Sequence, residues 1–596
     1  MSFSQARLRN FCVISHIDHG KTTLTDRFLE ITQTDIAKNQ LTERLLDSNP
    51  IEQERGITIK LAPVRMIYQD YIFNLIDTPG HVDFSYEVSR SLTACEGALL
   101  LVDATQGIQA QTMATASQAL DHNLTIIPII NKIDLPNADI PKTQHQLHQA
   151  FGFTKSEIIS ISAKTGQNLI QLIKAIIKLI PSPQGNPQKS LKALVFNSFY
   201  HPHQGVIASI RLIDGQVKPH DSLYLISNQT TFSVESVGHF TPYLKPTTSL
   251  SAGEVGYLTT GLKDISLCRV GDTITSSTQP TSQPLPGYQE AKPMVFMDLY
   301  PINNQDFVKL KKAFAKLQLV DSSLSSQPAN SPVLGSGLKV GFQGLLHADV
   351  VQERLEREFD LDLIATNPSV KYQIELKKDN QIISILSPTD FPDPTLINQT
   401  KEPYAQVTIF TPTQYLGAIL NLCQDFRAQS QQQQYFGQQV KLTYKMPLQA
   451  LISGFFGQLK SVSSGFANLD WQFIGFQPAD IVKLQVLLNR QPVEPLATLV
   501  VRSQASSLAK TLAKKLKAII PRQQFEIPIQ IALGGKILAR ETIKAFRKDV
   551  TAKLYGGDQT RKDKLLKKQK KGKRRLKQIG KVAIPQEAFL SLLDTH

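Results

Sequence analysis

The chain has 596 residues, more than one hydrophobic core can hold, because cores stop growing at roughly 250–300 residues. The excess of Lys and Arg over Asp and Glu, 65 to 50, gives a formal charge of +15 and favours a polyanionic partner, although a basic surface that binds nothing has the same signature. Four isolated cysteines argue against a disulfide framework or zinc cluster, and the lack of any apolar run near ~18 residues argues against a membrane-spanning helix.

The first part of the chain alternates apolar, β-branched runs with helical patterns. The runs FCVIS, YIFNLID, ALLLVD and LTIIPIIN are apolar nearly throughout, as strands covered on both faces are. Helical segments such as TTLTDRFLEI and DFSYEVSRSL lie between them. The pattern predicts a parallel α/β sheet in residues 1–182, which ends at the Pro/Gly linker 181–187.

The rest of the chain has a different organisation. Short strands with frequent turn signals predict a small β-barrel in residues 188–282. Strands that alternate with single amphipathic helices then predict two ferredoxin-like α+β modules, 290–375 and 400–485. We interpret the Gln-rich stretch 429–434 as a loop tip or helix end without a function. A final domain, 486–596, mixes strand and helix patterns and becomes intensely basic.

A candidate phosphate-binding loop follows the first strand and leads into a helix. In such a loop, backbone N–H groups and the helix N-terminus surround phosphates, while a lysine neutralises charge and a hydroxyl binds Mg²⁺. Lys21 and Thr22 fit these two roles. With the guanine-binding segments described below, they predict that residues 1–182 form a P-loop GTPase domain. The residues expected at the nucleotide are Asp18, His19, Gly20, Lys21, Thr22 and Thr23.

The second long strand runs directly into the sequence DTPGH. The carboxylate of Asp77 is suited to hold a water on Mg²⁺, and Gly80 can offer its N–H to a γ-phosphate. His81 stands where a side chain could orient an attacking water. An Asp-x-x-Gly turn is common, so this segment alone is weak evidence for a nucleotide site. Its position in the series of motifs makes the evidence stronger.

Two further segments are suited to guanine. The carboxylate of Asp134 can accept hydrogen bonds from N1–H and the exocyclic amine of guanine, a donor pair that adenine lacks. This residue belongs to NKID, and SAK follows the strand EIISIS. The base-binding residues are therefore predicted to be Asn131, Lys132, Asp134, Ser162, Ala163 and Lys164.

A polar segment between the first two strands reads ERGIT. Its Thr58 could reach Mg²⁺ while GTP is bound and release it after hydrolysis, which would make the segment an order–disorder switch. A turn followed by an edge strand is the alternative interpretation.

Together, these motifs resemble those of the translational GTPases: HIDHGKTT, RGIT, DTPGH, NKID and SAK. The resemblance implies that His81 positions water behind an apolar gate at Ile17 and Ile57. It also implies GTP and GDP as ligands, Mg²⁺ held by Thr22, Thr58 and Asp77, and a monovalent cation near Asp18.

The later domains indicate which family of translational GTPases the chain resembles. The paired modules are similar to domains III and V of elongation factor G, but only about 25 residues separate them, so the extra domain of that factor is absent. Residues 341–370 and 520–593 resemble the bacterial elongation factor 4 (LepA) family. The basic run 564–581 within the second segment is expected to contact RNA phosphates; a disordered, solvated tail is the alternative.

The family resemblance implies a monomeric factor of the bacterial cytoplasm that binds the 70S ribosome and tRNA. It implies ribosome-stimulated GTP hydrolysis coupled to backward movement of tRNAs, which protects the fidelity of protein synthesis. It also implies partial peripheral association with the cytoplasmic face of the cell membrane. Two alternatives stay open: a GTP-gated assembly factor that binds ribosomal RNA, and a GTPase that uses its basic tail on anionic lipid.

Overall fold

The computed structural model describes most of the chain. The described residues are 4–16, 18–32, 51, 54, 61–79, 85–201, 203–241, 243–281, 283–285, 293–319, 321, 323–331, 334–366, 368–378, 380–436 and 439–546. Their strands build the predicted series of an α/β domain, a β-barrel, two α+β modules and a C-terminal domain.

The N-terminal domain is a six-stranded sheet with helices on both faces. Its strands run in the order β2-β3-β1-β4-β5-β6, and all neighbours are parallel except β2 and β3. The strands are β1 Leu8–Ser15, β2 Ala62–Tyr68, β3 Tyr71–Asp77, β4 Gly97–Asp103, β5 Thr125–Asn131 and β6 Ile159–Ser160. The helices are α1 Lys21–Ile31, α2 Ser85–Thr93, α3 Ala110–Asp121, α4 Ile140–Phe151 and α5 Leu169–Leu179.

The apolar strands of this sheet supply two separate cores. Along β1, Phe11 and Val13 point into the core beneath α1 and α5, while Cys12 and Ile14 point into the core on the other face. Successive side chains of a strand alternate between faces, so a strand covered on both sides must be apolar at nearly every position. The parallel sheet predicted from these runs is confirmed, and the carboxyl ends of β1, β4 and β5 meet at one edge.

The barrel consists of an eight-stranded sheet, ordered β11-β10-β16-β7-β8-β15-β12-β13, with a small pair of β9 and β14. Its strands are β7 Lys192–His201, β8 Gly205–Asp214, β9 Gln216–Val217, β10 Ser222–Leu225, β11 Thr231–Ser233, β12 Ser236–Thr241, β13 Tyr243–Thr247, β14 Leu250–Ser251, β15 Val255–Thr259 and β16 Thr273–Ser276. Nearly all inward-facing residues of these strands are aliphatic, as the turn-rich sequence predicts.

Charged groups join the GTPase domain to the barrel. The Arg65 guanidinium lies 3.0 Å from the Glu254 carboxylate and 2.7 Å from Nε2 of His239. The Arg211 guanidinium, with only 2% of its side chain exposed, pairs with Glu96 across the same interface. Burial, with the nearby Arg65 cation, lowers the pKa of His239 to about 4. The two domains are therefore held by desolvated ion pairs and a neutral histidine.

The two following modules share one strand order. In each, the four strands lie second-third-first-fourth across the sheet: β18-β19-β17-β20, then β24-β25-β23-β26. The first contains β17 Val295–Pro301, α6 Phe307–Gln318, β18 Ser325–Ser331, β19 Gly335–Phe342, α7 Leu345–Phe359 and β20 Leu363–Ala365. The second contains β23 Ile397–Pro412, α8 Leu416–Asp425, β24 Gln429–Phe436, β25 Gln439–Pro447, α9 Phe456–Val462 and β26 Asn468–Pro478.

Both modules are ferredoxin-like, as predicted, and they share a continuous core. One interpretation was wrong: the Gln-rich stretch 429–434 lies in the edge strand β24, where its backbone pairs with β25. Before this module, a hairpin of β21 Tyr372–Leu376 and β22 Ile382–Ile385 extends its sheet through β23. The predicted boundary at residue 375 therefore falls within a strand.

The C-terminal domain packs one helix on a five-stranded sheet. Its elements are β27 Ile481–Leu488, β28 Gln491–Pro492, β29 Thr498–Val501, α10 Ala505–Ile519, β30 Ile527–Leu533 and β31 Lys536–Ile543. Strand β27 spans the predicted boundary at 485. The basic run 564–581 lies outside the described residues. Among the described helices, none has the length and apolar character that crossing a bilayer requires.

Candidate functional site

The phosphate loop joins β1 to α1 at the carboxyl edge of the sheet. Gly20 ends it with a φ of +94°, a left-handed conformation that favours glycine. A Cβ atom at Gly20 would lie 2.5 Å from Nδ2 of Asn131, closer than atoms can pack. Glycine is thus favoured here for two reasons, and the start of α1 that follows it is the kind of helix N-terminus that binds anions.

Lys21 begins α1 and turns toward the end of β3. Its ammonium lies 3.4 Å from Oδ1 of Asp77 and donates a hydrogen bond to the Thr78 carbonyl. The Thr78 hydroxyl donates to the Val13 carbonyl at 2.6 Å, which fixes β3 against β1. Thr22 follows Lys21 in α1, and its side chain is partly exposed. A lysine and a carboxylate therefore meet at one end of the loop, and the next residue of α1 carries a hydroxyl.

Asn131 connects the phosphate loop to the segment SAK. Its Nδ2 donates to the His19 carbonyl at 2.9 Å, and its Oδ1 accepts from the Ala163 amide at 2.9 Å. From α1, Arg27 donates to the carbonyls of Ala163 and Lys164 at 3.2 and 2.8 Å. The buried side-chain amide of Asn131 thus joins three segments that are far apart in sequence: the phosphate loop, NKID and SAK.

Lys132 also contacts the phosphate loop, and it pairs with Asp103, a residue that the sequence analysis did not identify. Its ammonium donates to the Asp18 carbonyl at 2.6 Å and lies 2.8 Å from Oδ2 of Asp103. Asp103 ends β4, at the edge of a parallel sheet where ligands bind. The sequence carried this signal, since a carboxylate closes the otherwise apolar run ALLLVD.

His19 is fully buried in the phosphate loop. Burial, reinforced by the nearby His16, lowers its pKa to about 3, so the imidazole is neutral at physiological pH. Its Nδ1 lies 3.3 Å from both the Leu101 carbonyl and the Asp103 amide, so the tautomer decides which of them it bonds. Among the described residues, its Nε2 has no hydrogen-bond partner. At physiological pH, His19 is therefore a neutral side chain packed between the phosphate loop and the end of β4.

The predicted residues divide into a buried frame and an exposed rim. Ser162 is buried, and its hydroxyl accepts from the Thr165 amide at 3.1 Å. The rim consists of exposed residues that face solvent: Asp18, Thr23, Asp134 and Lys164. Five predicted residues lie outside the described residues: Ile17, Ile57, Thr58, Gly80 and His81. Within the described residues, no three His, Cys, Asp or Glu side chains are grouped to hold a metal.

Family models match most of the chain in consecutive blocks. They are the elongation factor Tu GTP binding domain at residues 6–182, elongation factor Tu domain 2 at 205–275, the elongation factor G C-terminus at 399–487 and the GTP-binding protein LepA C-terminus at 488–594. The first block contains every element of the site described above. The last block covers the basic residues near the chain end.

Curated relatives match over almost the full length. Elongation factor 4 of Aquifex aeolicus is 48% identical across 99% of this chain and 100% of its own, and that of Thermotoga maritima is 50% identical across 98% and 95%. A crystal structure from Thermus thermophilus shares the fold at a TM-score of 0.60 and 16% identity, covering 80% of this chain and 97% of its own. This chain belongs to the elongation factor 4 family of translational GTPases.

Proposed function

We propose that the protein hydrolyses GTP on the 70S ribosome and uses this cycle to move tRNAs backwards, from the post-translocation to the pre-translocation state. The observation that carries the chemistry is the bridge made by Asn131. This amide bonds the phosphate loop and Ala163 at 2.9 Å each, which supports the proposal that these two segments bind the phosphates and the base of one nucleotide.

The described residues are suited to a triphosphate. The Lys21 ammonium lies 3.4 Å from Asp77. With GTP bound, it would neutralise negative charge on the β- and γ-phosphates. Amides at the start of α1 would donate to the same oxygens. At the rim, Asp134 would accept from guanine N1–H and the exocyclic amine. The two bonds of Asn131 join the phosphate loop to the segment SAK through protein atoms alone, so these two segments need no new arrangement relative to each other on binding.

The oxygen groups at the phosphate end also fit Mg²⁺. Asp77 is 1% exposed and ends β3 against Lys21, and Thr22 is the next residue of α1. This end of the loop would thus offer a carboxylate and a hydroxyl, which are both hard ligands. Thr22, Asp77 and Thr58 would hold the ion, which when bound neutralises charge on the transferred phosphate. A site completed by phosphate oxygens and water needs no cluster of three protein carboxylates or histidines.

His81 is proposed to orient the attacking water. It follows Asp77 by four positions in DTPGH, the motif that carries the family resemblance. The apolar side chains of Ile17 and Ile57 would keep it away from the γ-phosphate until the ribosome reorders the loop. Hydrolysis would therefore be slow in the free factor and fast on the ribosome.

The ribosome is proposed as the main partner, with tRNA as the moved ligand and a monomer as the working form in the cytoplasm. The +15 charge supports binding to RNA, and the basic residues 564–581 are the proposed phosphate contacts. The same residues would also account for attachment to anionic membranes, which flotation with phosphatidylglycerol vesicles tests directly.

Backward movement is tested by mapping the position of mRNA on defined post-translocation ribosomes. Addition of the factor with GTP is expected to shift the ribosome edge back by one codon, while GDP is expected to leave it in place. An unchanged position would reject the proposed movement. If the factor acted only on free subunits, it would instead be an assembly factor.

A further inference from the structure

Asp103 occupies a central position that the proposed roles do not use. Strand β4 lies between β1 and β5 in the sheet, so its last residue lies between the phosphate loop that follows β1 and the segment NKID that follows β5. The residue is fully buried. A carboxylate without exposure to water must be paired, because desolvation of an isolated charge is very costly.

Every oxygen of this carboxylate is engaged. Oδ2 lies 2.8 Å from the Lys132 ammonium, and Oδ1 accepts from both the amide and the hydroxyl of Thr105, each at 2.8 Å. Burial alone would raise the pKa of Asp103, but the bonds from Lys132 and Thr105 outweigh it and lower the pKa. Gln106 adds a longer bond to Oδ2 at 3.5 Å, so the side chain is an anion fixed in one orientation by three neighbours.

Lys132 is the part of this pair that touches the phosphate loop. Its ammonium donates to the Asp18 carbonyl at 2.6 Å, and its Cε lies 3.9 Å from where a Cβ of Gly20 would stand. Its backbone is left-handed, with a φ of 63°. A long, flexible side chain in a strained backbone needs a fixed partner at its end; otherwise, rotamer entropy would favour its release into water.

We propose that Asp103 is a positioning residue for the guanine nucleotide. It holds Lys132 against the phosphate loop and thereby fixes that loop relative to the segment NKID. This inference rests on the proposed GTP site. Lys132 contacts the backbone of the phosphate loop and belongs to NKID, two segments that GTP and GDP would both engage, so we expect the ion pair to contribute equally to binding of GTP, GDP and the transition state. Such uniform binding changes KM and Kd without changing kcat.

The test uses full-length Asp103→Asn and a fluorescent GDP analogue. Asparagine has nearly the same shape but no charge, so it releases Lys132 without opening a cavity. We expect the dissociation constants for GDP and GTP to rise by the same factor, roughly tenfold, while kcat at saturating GTP and ribosomes is unchanged. The matched control is Asp70→Asn, whose exposed pair with Arg7 lies outside the site, and it should bind like wild type.

A double-mutant cycle with Lys132→Met separates positioning from general destabilisation. If Asp103 acts through Lys132, the two losses will not add. Thr105→Val, which removes one of the two bonds to Oδ1, should give a smaller loss of the same kind and serves if Asp103→Asn does not fold. Equal affinity of Asp103→Asn and Asp70→Asn, additive losses, or a fall in kcat would each overturn the inference. Failure of wild type to bind any guanine nucleotide would instead overturn the proposed function.

Discussion

Replacement of Glu96 by Ala should destabilise the unit of GTPase domain and barrel. Glu96 is the cross-domain partner of Arg211, whose side chain is 2% exposed, and its second oxygen accepts from Asn10 at 2.7 Å. Breaking a buried ion pair costs about 3–5 kcal/mol, because the remaining charge is desolvated and unpaired. Glu96 itself is 22% exposed, so water can reach the gap and the lower end, about 3 kcal/mol, applies.

Each kcal/mol lowers the melting temperature of a domain this size by about 2–4 °C, so the expected fall is roughly 6–12 °C. Calorimetry on full-length protein measures it. Glu96→Gln, which keeps the shape, should lose less. Asp70→Ala, which breaks an exposed ion pair in the same domain, should change little. If Glu96→Ala melted within error of Asp70→Ala, the interface would not depend on this pair.

Two further predictions concern backbone geometry and pH. Gly20→Ala should abolish binding of a fluorescent GDP analogue, because the added Cβ would lie 2.5 Å from Nδ2 of Asn131 at a left-handed φ; binding at wild-type affinity would contradict this account. The pKa of His239 is about 4 in the folded chain, below the ordinary value near 6.5, so the unfolded chain binds more protons between these values and stability should fall as pH falls through this window. His239→Gln should flatten the dependence of the urea midpoint on pH, and an unchanged slope would refute the assignment.

Regular apolar patterns made much of the fold predictable. The strands of the GTPase domain are apolar at nearly every position because both faces are covered, and short runs of this kind are typical of buried parallel strands. The edge strands were harder to predict from the sequence. Ser325–Ser331 and Gln429–Phe436 are largely polar, mostly exposed sequences whose strand conformation depends on pairing with β19 and β25. Local sequence does not contain that information, since tertiary pairing decides it.

The site was predictable where a motif joins residues close in sequence. Gly20 and Lys21 belong to one such motif, so their neighbourhood follows from spacing. The connection of Asp103 to Lys132 spans two strands and depends on the order β1-β4-β5, which spacing cannot supply. Likewise, the bridge made by Asn131 appears only when three strand ends meet at one edge.

We expect the ribosome to activate GTP hydrolysis through His81. The most direct test is GTP turnover by the purified protein with and without intact 70S ribosomes, comparing wild type with His81→Ala. Strong stimulation of wild type is expected, and it should vanish in the variant while GDP binding persists. Absence of stimulation, stimulation by free subunits alone, or an equal response of the variant would contradict the account.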